Sequence, residues 1–188
     1  PMPLHPSTSG QPRGHSLLLG SEDHPTRRWE RRLSAWRKPS AMSILAMDCA
    51  PMRPWFPRWE VGGTCLAVDT DQGVVLVDTG VGLHDHEHPY WIVRLFALDF
   101  GLRRDPATTA VSQLARRGIA AGDVRHIVLT HLHFDHAGGL PDFPHAQIHV
   151  HRLEHEAFLR PRSWIELAYD RFDAAHDPAW RLYEQIDA

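Results

Sequence analysis

Read for apolar periodicity, the chain divides near residue 42. Residues 1–41 scatter Pro1, Pro3, Pro6, Pro12, Pro25 and Pro39 among Ser, Gly and Arg, with no period that could bury a face, and are expected to form a disordered tail. Within it, Trp29, Leu33 and Trp36 fall at helical spacing among arginines, so Thr26–Lys38 reads as a short basic helix. From Trp59 the pattern becomes that of sheet. Val61, Cys65, Leu66 and Val68 mark a strand over Glu60–Asp69, Asp71-Gln72-Gly73 supplies a turn, and Val74–Val77 returns as a buried run, which predicts a hairpin. Asp78-Thr79-Gly80 closes it, with Gly80 and Gly82 free to turn sharply. Tyr90–Phe100 is aromatic and apolar and fits either a helix or a covering loop. Asp105-Pro106 opens a helix that shares Ala107, Ala110, Val111, Leu114 and Ala115 on one face and stops at Gly118. A strand over His126–Thr130, another over Gln147–His151 and a helix over Leu153–Leu159 follow. Interleaved strands and helices define an α/β class, with one domain over residues 42–188 behind the tail.

Charge and composition narrow the functions open to such a domain. Residues 1–41 carry seven Lys or Arg against three Asp or Glu, a surplus of four that leaves the remainder near −7 out of a total of −3. A mildly acidic domain argues against a nucleic-acid-binding surface. No run approaches the eighteen or so apolar residues of a membrane span, and Ser16–Leu19 and Ser43–Met47 are too short for the apolar region of a signal peptide. Cys49 and Cys65 form neither a CxxC pair nor part of a larger framework, which fits a reducing, cytoplasmic setting. The pattern carries no signature of oligomeric state.

Fifteen histidines pose the chemical question, and their spacing answers it. His131, His133, Asp135 and His136 place three imidazoles and a carboxylate within six residues, at the end of a predicted strand. Borderline divalent metals prefer such nitrogen and oxygen donors. In extended backbone, side chains two apart project to one side, so His131 and His133 can share an ion, while Asp135 and His136 lie further along the turn. Leu132 and Phe134 point the other way to anchor the loop, and Gly138-Gly139 lets it fold back.

The segment Thr130-His131-Leu132-His133-Phe134-Asp135-His136-Ala137-Gly138-Gly139 resembles the signature of the metallo-β-lactamase superfamily, in the form seen in N-acyl homoserine lactonases and related lactone hydrolases. The likeness covers about residues 58–160, and Val77-Asp78-Thr79-Gly80 is similar to the family's first motif. The resemblance implies an αββα sandwich of which this chain is expected to hold the first half. It implies two metal ions, zinc by preference with iron or manganese compatible, one bound by His131 and His133 and the other by Asp135 and His136. Asp78 would hold the loop or a ligand imidazole in orientation. The implied reaction is attack of a metal-activated water on a small-molecule lactone or related ester, with Asp135 also orienting the nucleophile or relaying its proton.

After Gly139 the sequence departs from the family. The GHT-x-GH-like segment, the bridging aspartate and the final histidine have no counterpart, and His145, His149, His151, His155 and His176 read as surface or packing residues. Residues 161–188, with Trp164, Tyr169, Phe172, Trp180 and Tyr183, resemble the variable region that shapes the substrate entrance in such hydrolases. Two alternatives stand beside lactone hydrolysis: glyoxalase-type thioester hydrolysis, and an inactive half-domain that binds metal weakly. Redox chemistry on a di-iron centre is disfavoured, because that branch has a glutamate where His133 stands.

Overall fold

The computed structural model describes residues 43–56, 61–163 and 165–184. Residues 1–42, with the basic helix expected at 26–38, and Trp164 lie outside the described residues. Six strands form one sheet whose spatial order follows the chain: β1 (Ile44–Met52), β2 (Val61–Thr70), β3 (Gly73–Val77), β4 (Val124–Val128), β5 (Gln147–His151) and β6 (Ala179–Tyr183). The first three pair antiparallel and the last three add in parallel.

The β2–β3 hairpin forms where the alternation placed it, with Thr70 opposite Gly73 across the turn. Two strands are additions to the sequence reading. β1 precedes the expected start of sheet at Trp59. Its alternation is hidden by Pro51 and by a register shift between Asp48 and Ala50, which bury Cys49 and Ala50 in succession. β6 lies within the expected variable region, and its half-buried Trp180 and Leu182 alternate with exposed Arg181 and Tyr183 on an edge.

The crossover from β3 to the parallel β4 carries the helices α1 (Leu83–Glu87), α2 (Trp91–Asp99) and α3 (Ala110–Ala115). Tyr90–Phe100, open between helix and loop in the sequence, is therefore helix α2. The helix predicted from Asp105 is split. Asp105 instead caps a short 3-10 turn, Pro106–Thr108, by accepting from the Ala107 amide, and Thr109 then caps α3 through the Ser112 amide. Gly118, at φ +79°, ends the segment and lets the Ile119 amide return to the Leu114 carbonyl. α4 (Phe134–Ala137) follows β4, and α5 (Arg152–Leu159) follows β5.

All these elements pack on one face of the sheet. Cys65, Ala67, Leu76, Ile127 and Ile148 from the strands meet Ala110, Leu114 and Phe158 in the main core. A second cluster gathers Met52, Val81, Ile92, Val93, Leu102 and Phe134 beside it. The opposite face remains open among the described residues: Val128 is 41% and Tyr183 53% exposed, and a polar ladder crosses it. There His126 Nδ1 lies 3.0 Å from His149 Nε2, and His149 Nδ1 lies 2.7 Å from the Tyr183 hydroxyl. No helix among the described residues is long and apolar enough to cross a membrane.

Candidate metal centre

The histidine-rich loop leaves the carboxyl end of β4, the side on which parallel strands deliver chain into a crevice. Its first residues are held by three neighbouring segments. The Leu129 amide donates to the His149 carbonyl at 2.9 Å, the Thr130 amide to Asp78 Oδ1 at 2.8 Å, and the Leu132 amide to Glu154 Oε1 at 2.8 Å. Glu154 Oε1 also accepts from the Tyr169 hydroxyl at 3.0 Å, so α5 and the 165–168 turn brace the loop from one side.

Leu132 and Phe134 then anchor the loop in different places. Leu132 enters the main core and Phe134 the second cluster, where its ring meets Phe96 edge-on at 5.1 Å. Both are essentially unexposed, and burying each contributes about 1.5–3 kcal/mol. The loop cannot swing as a unit without emptying two cores.

Asp78 occupies the end of β3 in a left-handed conformation, φ +57°, a region that short polar side chains tolerate better than others. The bend turns its buried carboxylate under the loop. Oδ2 accepts from Thr130 Oγ1 at 2.8 Å and lies 2.9 Å from His136 Nδ1. A proton on Nδ1 bonded to that carboxylate leaves Nε2 of His136 with its lone pair, facing Asp135 Oδ2 at 3.5 Å. Thr79 completes the clamp: its amide and hydroxyl both donate to the His136 carbonyl, at 2.7 and 2.9 Å, while its hydroxyl oxygen accepts from the Gly139 amide at 3.1 Å. The close approach explains two glycines. A side chain at Gly82 would strike the Gly138 carbonyl, and one at Gly138 would strike the Asp85 carboxylate.

His131, Asp135 and His136 each bring a ligand atom within 4.8 Å of the other two. His133 stands next to that group rather than in it: its ring is 4.7 Å from His131 and 5.1 Å from Tyr169, centroid to centroid. The four side chains predicted from spacing thus lie side by side, three of them tightly grouped. Burial, reinforced by neighbouring imidazoles, holds His131 below the ordinary histidine range, and burial does the same to His133. Burial also works to lower His136, but its bond to Asp78 and the charges of Asp135 and Asp78 outweigh it and raise the group. Two imidazoles held below the ordinary range and a third tied at Nδ1, beside a carboxylate, form the donor set that a borderline divalent ion prefers, so the residues present fit a metal.

Among the described residues, His145, His149, His151, His155 and His176 do not join this group. His149 belongs to the open-face ladder and His155 packs on Trp180 at 4.8 Å. The spacing argument missed a second cluster, Asp85, Asp170 and Asp173, whose ligand atoms also lie within 4.8 Å of one another, with all three side chains buried. Its members are up to 88 positions apart, and no local motif announces them.

The fold and this loop together define a class. The chain belongs to the metallo-β-lactamase superfamily, whose family model matches residues 58–185. A probable metallo-hydrolase of Mycobacterium tuberculosis is 45% identical over 114 residues, covering 60% of this chain and 36% of that protein. An N-acyl homoserine lactonase of Bacillus thuringiensis is 32% identical over 103 residues, 54% of this chain and 41% of the lactonase. The chain spans well under half the length of these curated relatives. The fold is similar to that of an N-acyl homoserine lactone hydrolase with the product N-hexanoyl-L-homoserine at its catalytic metal centre. That similarity has a TM-score of 0.56 at 23% identity over 75% of this chain and 59% of that one.

Proposed function

We propose that residues 131–136 are the metal-binding loop of a hydrolase that opens lactones or related esters at a dinuclear zinc centre. In this reading His131 and His133 serve one ion, and Asp135 and His136 the other. The observation that carries it is the convergence of His131, Asp135 and His136 above Asp78, with the His136 ring tied at Nδ1. When bound, two divalent ions supply Lewis acidity and a water acidic enough to attack a carbonyl near neutral pH.

The chain's own residues prepare that chemistry. Asp78 fixes the His136 ring so that Nε2 faces Asp135, and burial keeps His131 and His133 neutral and able to ligate. Asp135, partly exposed at the crevice, orients the attacking water and carries its proton toward the leaving oxygen. A lactone is preferred over a β-lactam or a thioester because the lactonase relative shares this part of the sequence. Iron or manganese would suit the same donors. Two buried free thiols, Cys49 and Cys65, fit a cytoplasmic setting.

A second reading, metal binding without turnover, is favoured by one fact: among the described residues no further histidine or carboxylate joins the His131 group. Zinc competition against a chromogenic chelator tests the site in the full chain. His131→Ala and His136→Ala should each weaken uptake at least ~100-fold, more than loss of an orienting partner alone would. Unchanged uptake would sink the loop assignment. A panel of N-acyl homoserine lactones, a glutathione thioester and a β-lactam, given to the natural protein that carries this segment, then tests the substrate. Turnover of lactones first supports the proposal, turnover of the thioester alone moves it to the glyoxalase type, and silence on all three with zinc bound favours the second reading.

A further inference from the structure

The buried acidic cluster is independent of the histidine loop in donors and in place. Asp85 lies on α1, and Asp170 and Asp173 frame the 3-10 turn Arg171–Ala174 that leads into β6. The two segments are pressed together: the His84 ring stacks on Phe172 at 3.5 Å, and the turn also packs on Leu140–Asp142. Asp85 and Asp173 are each 1% exposed and Asp170 5%.

Part of the cluster is accounted for by the protein. Asp85 Oδ2 accepts from the Gly82 amide at 3.3 Å, and Asp170 Oδ1 accepts from the Phe172 amide at 2.9 Å. The rest is not. Asp85 Oδ1 and both oxygens of Asp173 are buried with no hydrogen-bond partner, and among the described residues no basic side chain pairs with any of the three. Asp142, whose Oδ2 accepts from the Leu83 amide, adds a fourth acidic group to the neighbourhood. A buried, unpaired carboxylate costs several kcal/mol, so three together must be neutralised by something.

We propose that Asp85, Asp170 and Asp173 form a structural cation site, selective for a hard, oxygen-seeking divalent ion of the calcium class. The donor chemistry sets the class. Three carboxylates without a nitrogen or sulfur ligand suit Ca2+ and, among transition metals, Mn2+, whereas the histidine loop suits zinc. The cation would join α1 to the segment before β6, across most of the described chain. It would also sit behind the active loop, because the Asp85 carboxylate abuts Gly138. The alternative way to neutralise the cluster is protonation. Burial raises Asp85 to about 7, and burial with the charges of Asp85, Asp170 and Asp142 raises Asp173 well above the carboxylate range. A divalent ion therefore has to displace protons to enter.

The test uses the full chain, dialysed free of calcium and titrated with CaCl2 alone at pH 7.5. Calorimetry should find one Ca2+ per chain, and the thermal midpoint should rise by about 3–8 °C at saturation. Asp173→Asn and Asp85→Asn, which keep the side-chain shape, should abolish both effects, while His131→Ala should keep them. Mn2+ added to the His131→Ala/His136→Ala double variant should give a paramagnetic resonance signal without nitrogen coupling. No uptake of Ca2+ or Mn2+ by the parent chain, or uptake that survives Asp173→Asn, overturns the site. The cluster is then held by protons, and Asp173→Asn is more stable than the parent chain with or without calcium.

Discussion

Two groups of acidic and imidazole side chains lie on either side of the Gly138-Gly139 backbone, and they differ in every respect that matters for reading a sequence. The His131 group is contiguous, partly exposed and mixed in donor type, and its members are oriented by neighbours that are themselves anchored. The Asp85 group is discontinuous, buried and all-carboxylate, and three of its six oxygens, Asp85 Oδ1 and both of Asp173, have no hydrogen-bond partner. A reactive centre needs access and oriented ligands, whereas a structural one needs enclosure and balanced charge. The two groups meet these opposite requirements, and the Asp85 carboxylate lies close against Gly138.

The contrast can be broken most forcefully at the anchor. Phe134→Ala should cost about 3–5 kcal/mol in urea unfolding, because it empties the second cluster beneath the histidine loop. A loss under 1 kcal/mol would mean that the loop is not braced by its apolar residues.

Next in size is the orienting carboxylate. Asp78→Asn keeps a side chain that tolerates φ +57° but removes the charge that holds His136 Nδ1. Zinc affinity should fall ~10–100-fold with little change in stability. If affinity is unchanged, Asp78 is a turn residue and no more.

Taken per pH unit, the smallest effect concerns the acidic group. Burial lifts Asp85 from 3.8 to about 7, so between those values the folded chain keeps a proton that the unfolded chain has released. Without calcium, stability should decline as pH rises from about 4 to 7, by ~1.4 kcal/mol per unit for each carboxyl protonated only in the folded chain, and Asp173, raised further, carries the decline beyond that window. Asp142, lifted to about 6 by burial, adds the same sign over the lower part of that window. Asp85→Asn should make the slope shallower by that residue's share. A stability that rises across this window would contradict the burial of these carboxyls.

The same contrast governs what the sequence disclosed. The grouping of the four candidate donors was legible because they fall within six residues, with Leu132 and Phe134 between them to seat the loop. Composition and period alone marked Asp78 only as a strand end, and an orienting role for it came from the family resemblance; its left-handed bend and its bond to a ring 58 positions away are tertiary facts. The hairpin, β5 and α5 came through because their alternation or helical period is undisturbed. β1 did not, since Pro51 and the shift at Asp48 break its period, and β6 did not because an edge strand buries too little to pattern strongly. Asp105-Pro106 advertised one helix start where Thr109 provides a second. The Asp85 cluster had no signature, because nothing local connects Asp85 with Asp170 and Asp173.

The strand order has a consequence for how the molecule is made. Each strand pairs with the one synthesised just before it, from β1 through β6, so the sheet can grow at a single advancing edge. No strand has to be threaded between partners that have already met, and each addition closes only one connecting segment. The histidine loop, which emerges between the fourth and fifth additions, can meet Asp78 and Thr79 at once, whereas its bonds to the His149 carbonyl and to Glu154 wait for β5 and α5. The bracing of the loop from its C-terminal side therefore depends on chain about twenty residues further on, so the candidate donors precede part of their own support in the order of synthesis.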